Sequence, residues 1–356
     1  MQQPWLEISR GAFHNNIDQI KKIIGQTDMG IVVKANAYGH GLFEIARLAQ
    51  EHAAVAYMFT ASTSEALALR NAEISKPLLA LAYHDVDYAD VLNAEIEFTV
   101  YDISLLRKIS AAAYKYNIPA RVHIKVDTGM SRIGIKPQDV LACLNEIRCT
   151  PGIIVRGIFT HLADTNEPDQ LFTRYQLAQF DMLVAKIADA GIKIPSIHAL
   201  ASGSILENNR YSCVRIGTSA YGYHKSDLQY ARFINQVPEY ALQQIVTIKA
   251  PIVGWYGEHD KKYAIVACGQ AYGISFIPYV HQVMINGFFV PVVRVIDMLH
   301  VVIDVSHIPE AMLQNYVTIV GPIAGISVND HARMSKTIGN EVVTLFSPTI
   351  PRYIVP

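Results

Sequence analysis

At 356 residues the chain is too long for one small domain and suits either a barrel with additions or two domains. Its 51% hydrophobic content, 17% charged content and net charge of -1 describe a soluble globular protein with no general attraction for nucleic acid or anionic membrane. The start, Met1-Gln2-Gln3-Pro4-Trp5, lacks a basic region followed by an apolar one, and no apolar run is long enough to cross a bilayer, so small molecules or further copies of the chain are the expected partners and the cytoplasm the expected place.

Trp5-Leu6-Glu7-Ile8 reads as a short strand before a helix that begins around Arg10. The run Gly30-Ile31-Val32-Val33-Lys34 is a strand of apolar residues that ends on a lysine and leads through Tyr38 into a glycine-flanked turn. Leu42, Ile45, Leu48 and Ala49 then mark one face of a helix, and Ser62-Thr63-Ser64-Glu65 has the form of a capping box. Further strands are expected at Ala56 to Ala61, Leu78 to Tyr83, Glu97 to Tyr101, Arg121 to Asp127, Ile153 to His161, Ser196 to Ser202 and Val214 to Tyr221. Eight β/α units in succession predict an α/β fold, a (β/α)8 TIM-like barrel over residues 9–225, with its site at the C-terminal ends of the strands. An open doubly wound sheet is the alternative, but no Gly-x-Gly-x-x-Gly follows a first strand.

Past Tyr223 the helical period fades and short strands are expected at Gln244 to Lys249, Tyr263 to Ala267, Val280 to Ile285, Val290 to Ile296, His300 to Val305, Val317 to Val320 and Val342 to Leu345. A mainly β domain of residues 226–356, joined by residues 1–8, follows from that change. Cys143, Cys149, Cys213 and Cys268 form no Cys-x-x-Cys pair, so they read as small buried hydrophobes with no disulfide framework and no metal site.

A lysine at the end of an apolar strand has two readings. Its ammonium can snorkel to water, or its setting can push it towards the neutral amine, the form that condenses with an aldehyde. The surrounding Lys34-Ala35-Asn36-Ala37-Tyr38-Gly39-His40-Gly41 resembles the pyridoxal phosphate lysine motif of the alanine racemase family. The resemblance implies that Lys34 carries the cofactor as an internal aldimine and that Tyr38 hydrogen-bonds its phosphate. Lys125-Val126-Asp127-Thr128-Gly129-Met130-Ser131-Arg132 resembles a second signature of that family, in which Arg132 faces the substrate carboxylate and Lys125 supports it, often as a carbamate. A planar guanidinium suits that task better than the point charge of a lysine.

The same resemblance places His161 beside the cofactor ring and Ser202 on its phosphate, although Ala201 stands where the family usually has asparagine. In Val214-Arg215-Ile216-Gly217-Thr218 the amides of Gly217 and Thr218 would hold the phosphate, and Arg215 would face the pyridine nitrogen. An arginine there disfavours protonation of the ring, which suits return of a proton to the same carbon more than transamination. Tyr256, in Val253-Gly254-Trp255-Tyr256-Gly257, resembles the family's second base, which reaches the lysine of the other subunit and implies a homodimer with shared sites. Met298 matches, more loosely, a segment whose methionine backbone meets the substrate carboxylate. Pro348 replaces a tyrosine that usually narrows the pocket and binds phosphate.

The resemblance therefore implies a racemase of alanine using a Lys34 and Tyr256 pair of bases. A broad-specificity amino-acid racemase is the nearest alternative. A pyridoxal phosphate decarboxylase of similar architecture lacks its glycine-rich phosphate loop here, and a non-catalytic cofactor-binding barrel would not need so long a second domain.

Overall fold

The computed structural model describes residues 3–166, 168–207, 210–273 and 282–356. Its first strand, β1 (Trp5–Ser9), precedes eight parallel strands: β2 (Asp28–Val32), β3 (Val55–Ser62), β4 (Leu78–Tyr83), β5 (Glu97–Val100), β6 (Ala120–Lys125), β7 (Ile153–Phe159), β8 (Ser196–His198) and β9 (Cys213–Ile216). They lie in the order β8, β7, β6, β5, β4, β3, β2, β9. Backbone bonds from Arg215 N to Leu200 O (3.0 Å) and Ser212 N to Ile197 O (3.0 Å) bring the two ends together, so the sheet is a nearly closed barrel. The barrel has two apolar faces, as alternation along each strand requires. Val32, Phe59, Leu79 and Cys213 form a small cluster separate from the main core, to which the strands and the surrounding helices contribute the residues between.

The second region is antiparallel: β10 (Val246–Glu258), β11 (Lys261–Val266), β12 (Gln282–Ile285), β13 (Phe288–Val295), β14 (Val301–Asp304) and β15 (Tyr316–Val320). The long β10 pairs with both β11 and β15, and the sheet order β11, β14, β13, β12, β15, β10 thereby closes a ring of six strands. β1 pairs antiparallel with β10 and parallel with the C-terminal β16 (Arg352–Val355), so both ends of the chain are stitched into this sheet.

Several expectations are corrected. The strand expected to end on Lys34 stops at Val32, and those expected to reach Ser202 and Tyr221 stop at His198 and Ile216, because the chain turns into short tight turns there. Val342 to Leu345 is not a strand but falls largely in a helix, Gly339–Thr344, and two further helices, Asp227–Gln236 and Val328–Met334, occupy the stretch read as all β. The last begins with a capping box at Ser327 and Asp330, a local signal that its surrounding strand texture obscured. Of the strand expected from Val280 to Ile285, Val280 and His281 lie outside the described residues. Cys149 is exposed just past the helix Val140–Arg148, whereas the other three cysteines are buried.

Candidate active site at the barrel mouth

Lys34 opens the most unusual backbone in the molecule. Ala35, Asn36, Ala37 and Tyr38 all have φ between 51° and 54°, which makes one turn of left-handed helix from residues that carry side chains. Each such residue costs about 1–2 kcal/mol against the right-handed form, so the turn must be held from outside. Glu65 does this from the barrel wall. Its carboxylate accepts Ala35 N (2.7 Å) and Asn36 N (3.4 Å), and its other oxygen accepts Ala61 N (2.8 Å). The expected capping box is therefore only half made: Ser62 Oγ accepts Glu65 N (3.2 Å), but the glutamate is diverted to the lysine turn. On the far side Arg352 grips Gly39 O through Nε (3.2 Å) and Nη2 (2.9 Å), while also bonding the carbonyls of Ser347, Pro348 and Ile350. Pro348 is thus placed beside the turn that carries Tyr38.

Four cations share this mouth. Burial, followed by the charges of Arg132 and Arg215, lowers the pKa of Lys34, with Glu65 opposing them. Lys125, at the end of β6, is buried and lowered to about 8, first by burial and then by Arg132, Arg215 and Lys34. Its ammonium lies 5.7 Å from the centre of the Phe159 ring, over which the Arg215 guanidinium also sits at 5.3 Å. Arg132 is exposed on a loop whose base is closed by Asp127 N to Ile135 O (2.9 Å) and Ile135 N to Lys125 O (2.8 Å). Asp127 braces that loop by accepting Gly129 N, Ser131 N and Lys136 Nζ. No hydrogen bond or ion pair among the described residues engages the Arg132 fork, so it is free to meet an anion.

Arg215 is the reverse case. Nη1 donates to His198 Nδ1 (2.7 Å) and His198 O (3.1 Å), and Nη2 to Thr160 O (2.7 Å) and Ala199 O (3.1 Å), with His161 Nδ1 at 3.4 Å. Burial lowers its pKa to about 10, so it remains a cation near neutrality. Burial and then Arg215 hold His161 well below its usual range, as a neutral imidazole.

An oxyanion cradle lies beside this group. Ser202 Oγ accepts Gly217 N (2.9 Å) and Ser219 N (3.3 Å) at the start of the turn Thr218–Tyr221. A Cβ on Gly217 would sit 2.9 Å from Tyr38 Oη, so only glycine leaves the space between this backbone and the phenol. Burial raises the Tyr38 pKa, which keeps the phenol protonated as a neutral donor. Backbone amides at the start of a turn, a hydroxyl and a phenol fit a phosphate dianion. A neutral-prone lysine and a cation-lined mouth fit its aldehyde and ring, so the residues present match pyridoxal phosphate. A cavity of about 520 Å³ elsewhere, lined by Glu7, Gln243, Gln244 and Asn329 among others, contains no cation and has no such chemistry.

Lys34, Tyr38, Lys125, Arg132, His161, Ser202, Arg215, Gly217 and Thr218 are brought to one end of the barrel. Tyr256 and Met298 are not joined to them by any hydrogen bond, ring contact or ion pair among the described residues. Tyr256 lies on β10, accepts a hydrogen bond from Arg294 Nη2 (3.3 Å) and stacks on Tyr263 (5.1 Å between centroids). Met298 is exposed, and its carbonyl accepts Ala271 N (3.0 Å). Sequence reasoning missed Glu65, Arg294 and Arg352, and gave no role to His198, His123 or Glu97. The alternation that puts His123 on the same barrel face as Lys125 was the available signal for one of them.

A parallel barrel with a half-buried lysine and a serine-and-amide turn at its C-terminal mouth, followed by a closed β ring, defines a class of barrel-plus-β proteins. Residues 8–225 match the family described as alanine racemase, N-terminal domain, and residues 253–354 match alanine racemase, C-terminal domain. The chain belongs to the alanine racemase family. It is 33% identical to an alanine racemase of Clostridium perfringens, over 98% of this chain and 94% of that one, and 33% identical to an alanine racemase of Methanococcus maripaludis, over 98% and 97%. Its structure is similar to that of an alanine racemase of Clostridium difficile in complex with cycloserine, with a TM-score of 0.90 at 28% identity, covering 98% of this chain and 94% of that one. An alanine racemase of Bacillus anthracis with bound L-Ala-P gives a TM-score of 0.85 at 25% identity, covering 100% and 96%.

Proposed function

We propose that the chain is an isomerase that interconverts L-alanine and D-alanine with pyridoxal 5'-phosphate held at Lys34. The observation that carries this reading is the left-handed turn, which presents Lys34 and Tyr38 to one mouth where Ser202, Gly217 and Thr218 line an anion cradle. When bound, the cofactor supplies an electron sink that acidifies the hydrogen on the substrate α-carbon. Everything else is asked of the protein. Tyr38, Ser202 and the turn at Gly217 and Thr218 would hold the phosphate, the amide of Gly217 exchanging its bond to Ser202 Oγ. His161 would stand by the ring as a neutral imidazole, and Arg215 would donate to the ring nitrogen. Arg132, whose fork is uncommitted, takes the substrate carboxylate, with Lys125 behind it, and the Met298 backbone would meet that carboxylate only from the partner's β ring. The Lys125 amine, lowered to about 8, is partly neutral near pH 8 and in that form can take up carbon dioxide as a carbamate.

Racemisation needs a base on each face of a planar carbon. Lys34 serves one face, because its lowered pKa favours the free amine that accepts a proton. Tyr256 serves the other, with the Arg294 guanidinium donating a hydrogen bond to its hydroxyl. Since no contact among the described residues ties Tyr256 to its own mouth, the tyrosine is contributed by the partner in a homodimer. No helix among the described residues is long and apolar enough to cross a membrane, and the cytoplasm is part of the same proposal.

Pro348, beside the Tyr38 turn, favours a second reading in which larger amino acids are also accepted. Loss of optical rotation and release of carbon dioxide, measured across a panel of L-amino acids with added pyridoxal phosphate, test both. Racemisation of alanine without carbon dioxide is the expected result. Carbon dioxide release, or no turnover of alanine, would overturn the proposal, while equal rates for larger side chains would establish the second reading.

A further inference from the structure

Behind Arg215 a chain of buried polar side chains crosses the barrel interior. His198 Nε2 lies 3.0 Å from His123 Nδ1, and His123 Nε2 lies 2.7 Å from Glu97 Oε2. With the Arg215 to His198 bond of 2.7 Å this makes one connected path, Arg215, His198, His123, Glu97, whose members stand on β9, β8, β6 and β5. None is more than 3% exposed. Branched aliphatic residues are the ordinary filling of such a barrel. Burying a cation and an anion instead is unfavourable unless every donor meets an acceptor.

Here both terminal nitrogens of Arg215, both histidines and the carboxylate find partners, and the ends dictate the direction. A guanidinium can only donate, so His198 Nδ1 must be an acceptor and its proton must sit on Nε2. His198 Nε2 then donates to His123 Nδ1, which leaves the His123 proton on Nε2, pointing at a carboxylate that can only accept. Protonating either histidine would break this order. A proton added to His123 Nδ1 would turn His198 around and set an N–H against the Arg215 N–H at 2.7 Å. The lowered pKa of His198, caused by burial and then by Arg215 and His123, agrees with the neutral form. The Tyr57 hydroxyl, 3.1 Å from both oxygens of Glu97, and Arg156 Nε at 3.6 Å keep that carboxylate ionised. Its pKa ends below the usual range although burial pushes it up, because His123 and Tyr57 hydrogen-bond it. The surroundings are shaped to this path. A Cβ on Gly157 would overlap His123 Nδ1, and Phe159 stacks on His198 at 4.8 Å with 7° between the planes.

We infer that Glu97 and His123 are positioning residues that act through His198 to hold the Arg215 guanidinium in one orientation at the cofactor face of the mouth. The inference rests on the reading of Arg215 as the group facing the ring nitrogen. A carboxylate at the far end of the barrel thereby fixes which atoms of Arg215 are committed and which remain for the ring.

Solid-state 15N NMR of the full chain, labelled at histidine and assigned by difference against His123→Asn and His198→Asn, reads the tautomers with or without cofactor. Both histidines of the wild type should show an unprotonated Nδ1 and a protonated Nε2. A protonated Nδ1 on His198 would overturn the inference at once, whatever any variant does. Glu97→Gln replaces an end that can only accept with an amide that can also donate to His123 Nε2, so a second tautomer of His198, turned against Arg215, should appear beside the first. In the loaded enzyme the signal of a 15N-labelled pyridoxal phosphate ring should then shift, with kcat for alanine lowered about tenfold and KM within about twofold. If Glu97→Gln loses only thermal stability while the tautomers, ring signal and kcat stay as in the wild type, the path is mere packing and the inference fails. A chain that takes up no pyridoxal phosphate but shows the expected tautomers would sink the cofactor reading and leave the directional path intact.

Discussion

In the barrel mouth, Lys125 and Arg215 are buried, each Arg215 terminal nitrogen has two acceptors within 3.1 Å, and the lysine turn is gripped from two sides by Glu65 and Arg352. In the β ring, Tyr256 is half-buried between the exposed Trp255 and Gly257, its hydrogen-bond donor Arg294 is exposed, and Val253, Val293, Ile296, Met298 and Leu299 are exposed apolar residues of the same region. The mouth can fix charges without help because strands from all round the barrel supply acceptors. The β ring offers one aromatic acid and apolar surface with no hydrogen bond, ring contact or ion pair to the mouth among the described residues. On the proposed reading, charge placement is a property of one chain and the second proton path a property of two.

The largest effect should come from the lysine itself. Lys34→Ala should remove the visible absorption of bound cofactor and lower racemisation by on the order of a thousandfold or more, since no other amine meets both the phosphate cradle and the substrate. A borohydride-reducible adduct that persists in this variant would show that a different lysine is used, and the self-contained mouth would be the wrong description.

Mixing chains tests whether the two bases come from different protomers. Tyr256→Phe should keep cofactor binding and impair proton removal from one enantiomer far more than from the other. Re-associating it with Lys34→Ala should restore about a quarter of wild-type activity, because half of the random dimers are hybrids and each hybrid has one intact site of two. Hybrid dimers that form but remain inactive would place both bases in one chain.

How much of this could be read beforehand differs between the two regions for a physical reason. In the barrel, the run of strands put the site at their C-terminal ends, and the resemblance carried by the lysine motif and the later signatures named Lys34, Tyr38, Lys125, Arg132 and Arg215. What escaped was everything non-local. Glu65 looked like a cap for its own helix, and its use on a turn some thirty residues earlier follows only from packing. Arg352 reaches back 313 positions to Gly39, which no window on the sequence can show. In the β region, alternation found most strands but not the helices Val328–Met334 and Gly339–Thr344, because short helices among β-branched residues carry little period.

Glu65 offers a sharper, smaller test of how the mouth is held. Glu65→Gln keeps the shape but removes the charge that attracts three backbone N–H groups. It should destabilise the chain by about 1–3 kcal/mol and weaken retention of pyridoxal phosphate on dialysis, with Arg132-dependent substrate binding unaffected. Unchanged retention would mean that the left-handed turn is held well enough by Arg352 and its own contacts.

The smallest effect expected is one of pH, and it separates a buried cation from a paired one. Lys125 has a pKa of about 8 in the folded chain against 10.5 when free, chiefly because burial penalises its ammonium. Between those values the unfolded chain binds more protons than the folded one, so stability must rise as pH rises through that window. Below about pH 8 both states are protonated and the full burial penalty is present. Lys125→Met keeps the length and apolar stem without the charge, so its stability should lie above the wild type at pH 7 and lose the rise between pH 8 and 10.5. Denaturant midpoints measured across that range read the slope directly. Added bicarbonate should raise wild-type stability and extend the rise below pH 8 if the neutral amine is captured as a carbamate facing Arg132, and should leave the methionine variant untouched. Parallel curves for wild type and Lys125→Met would mean that the ammonium is solvated after all, and that Arg132 has no buried neighbour to set its charge against.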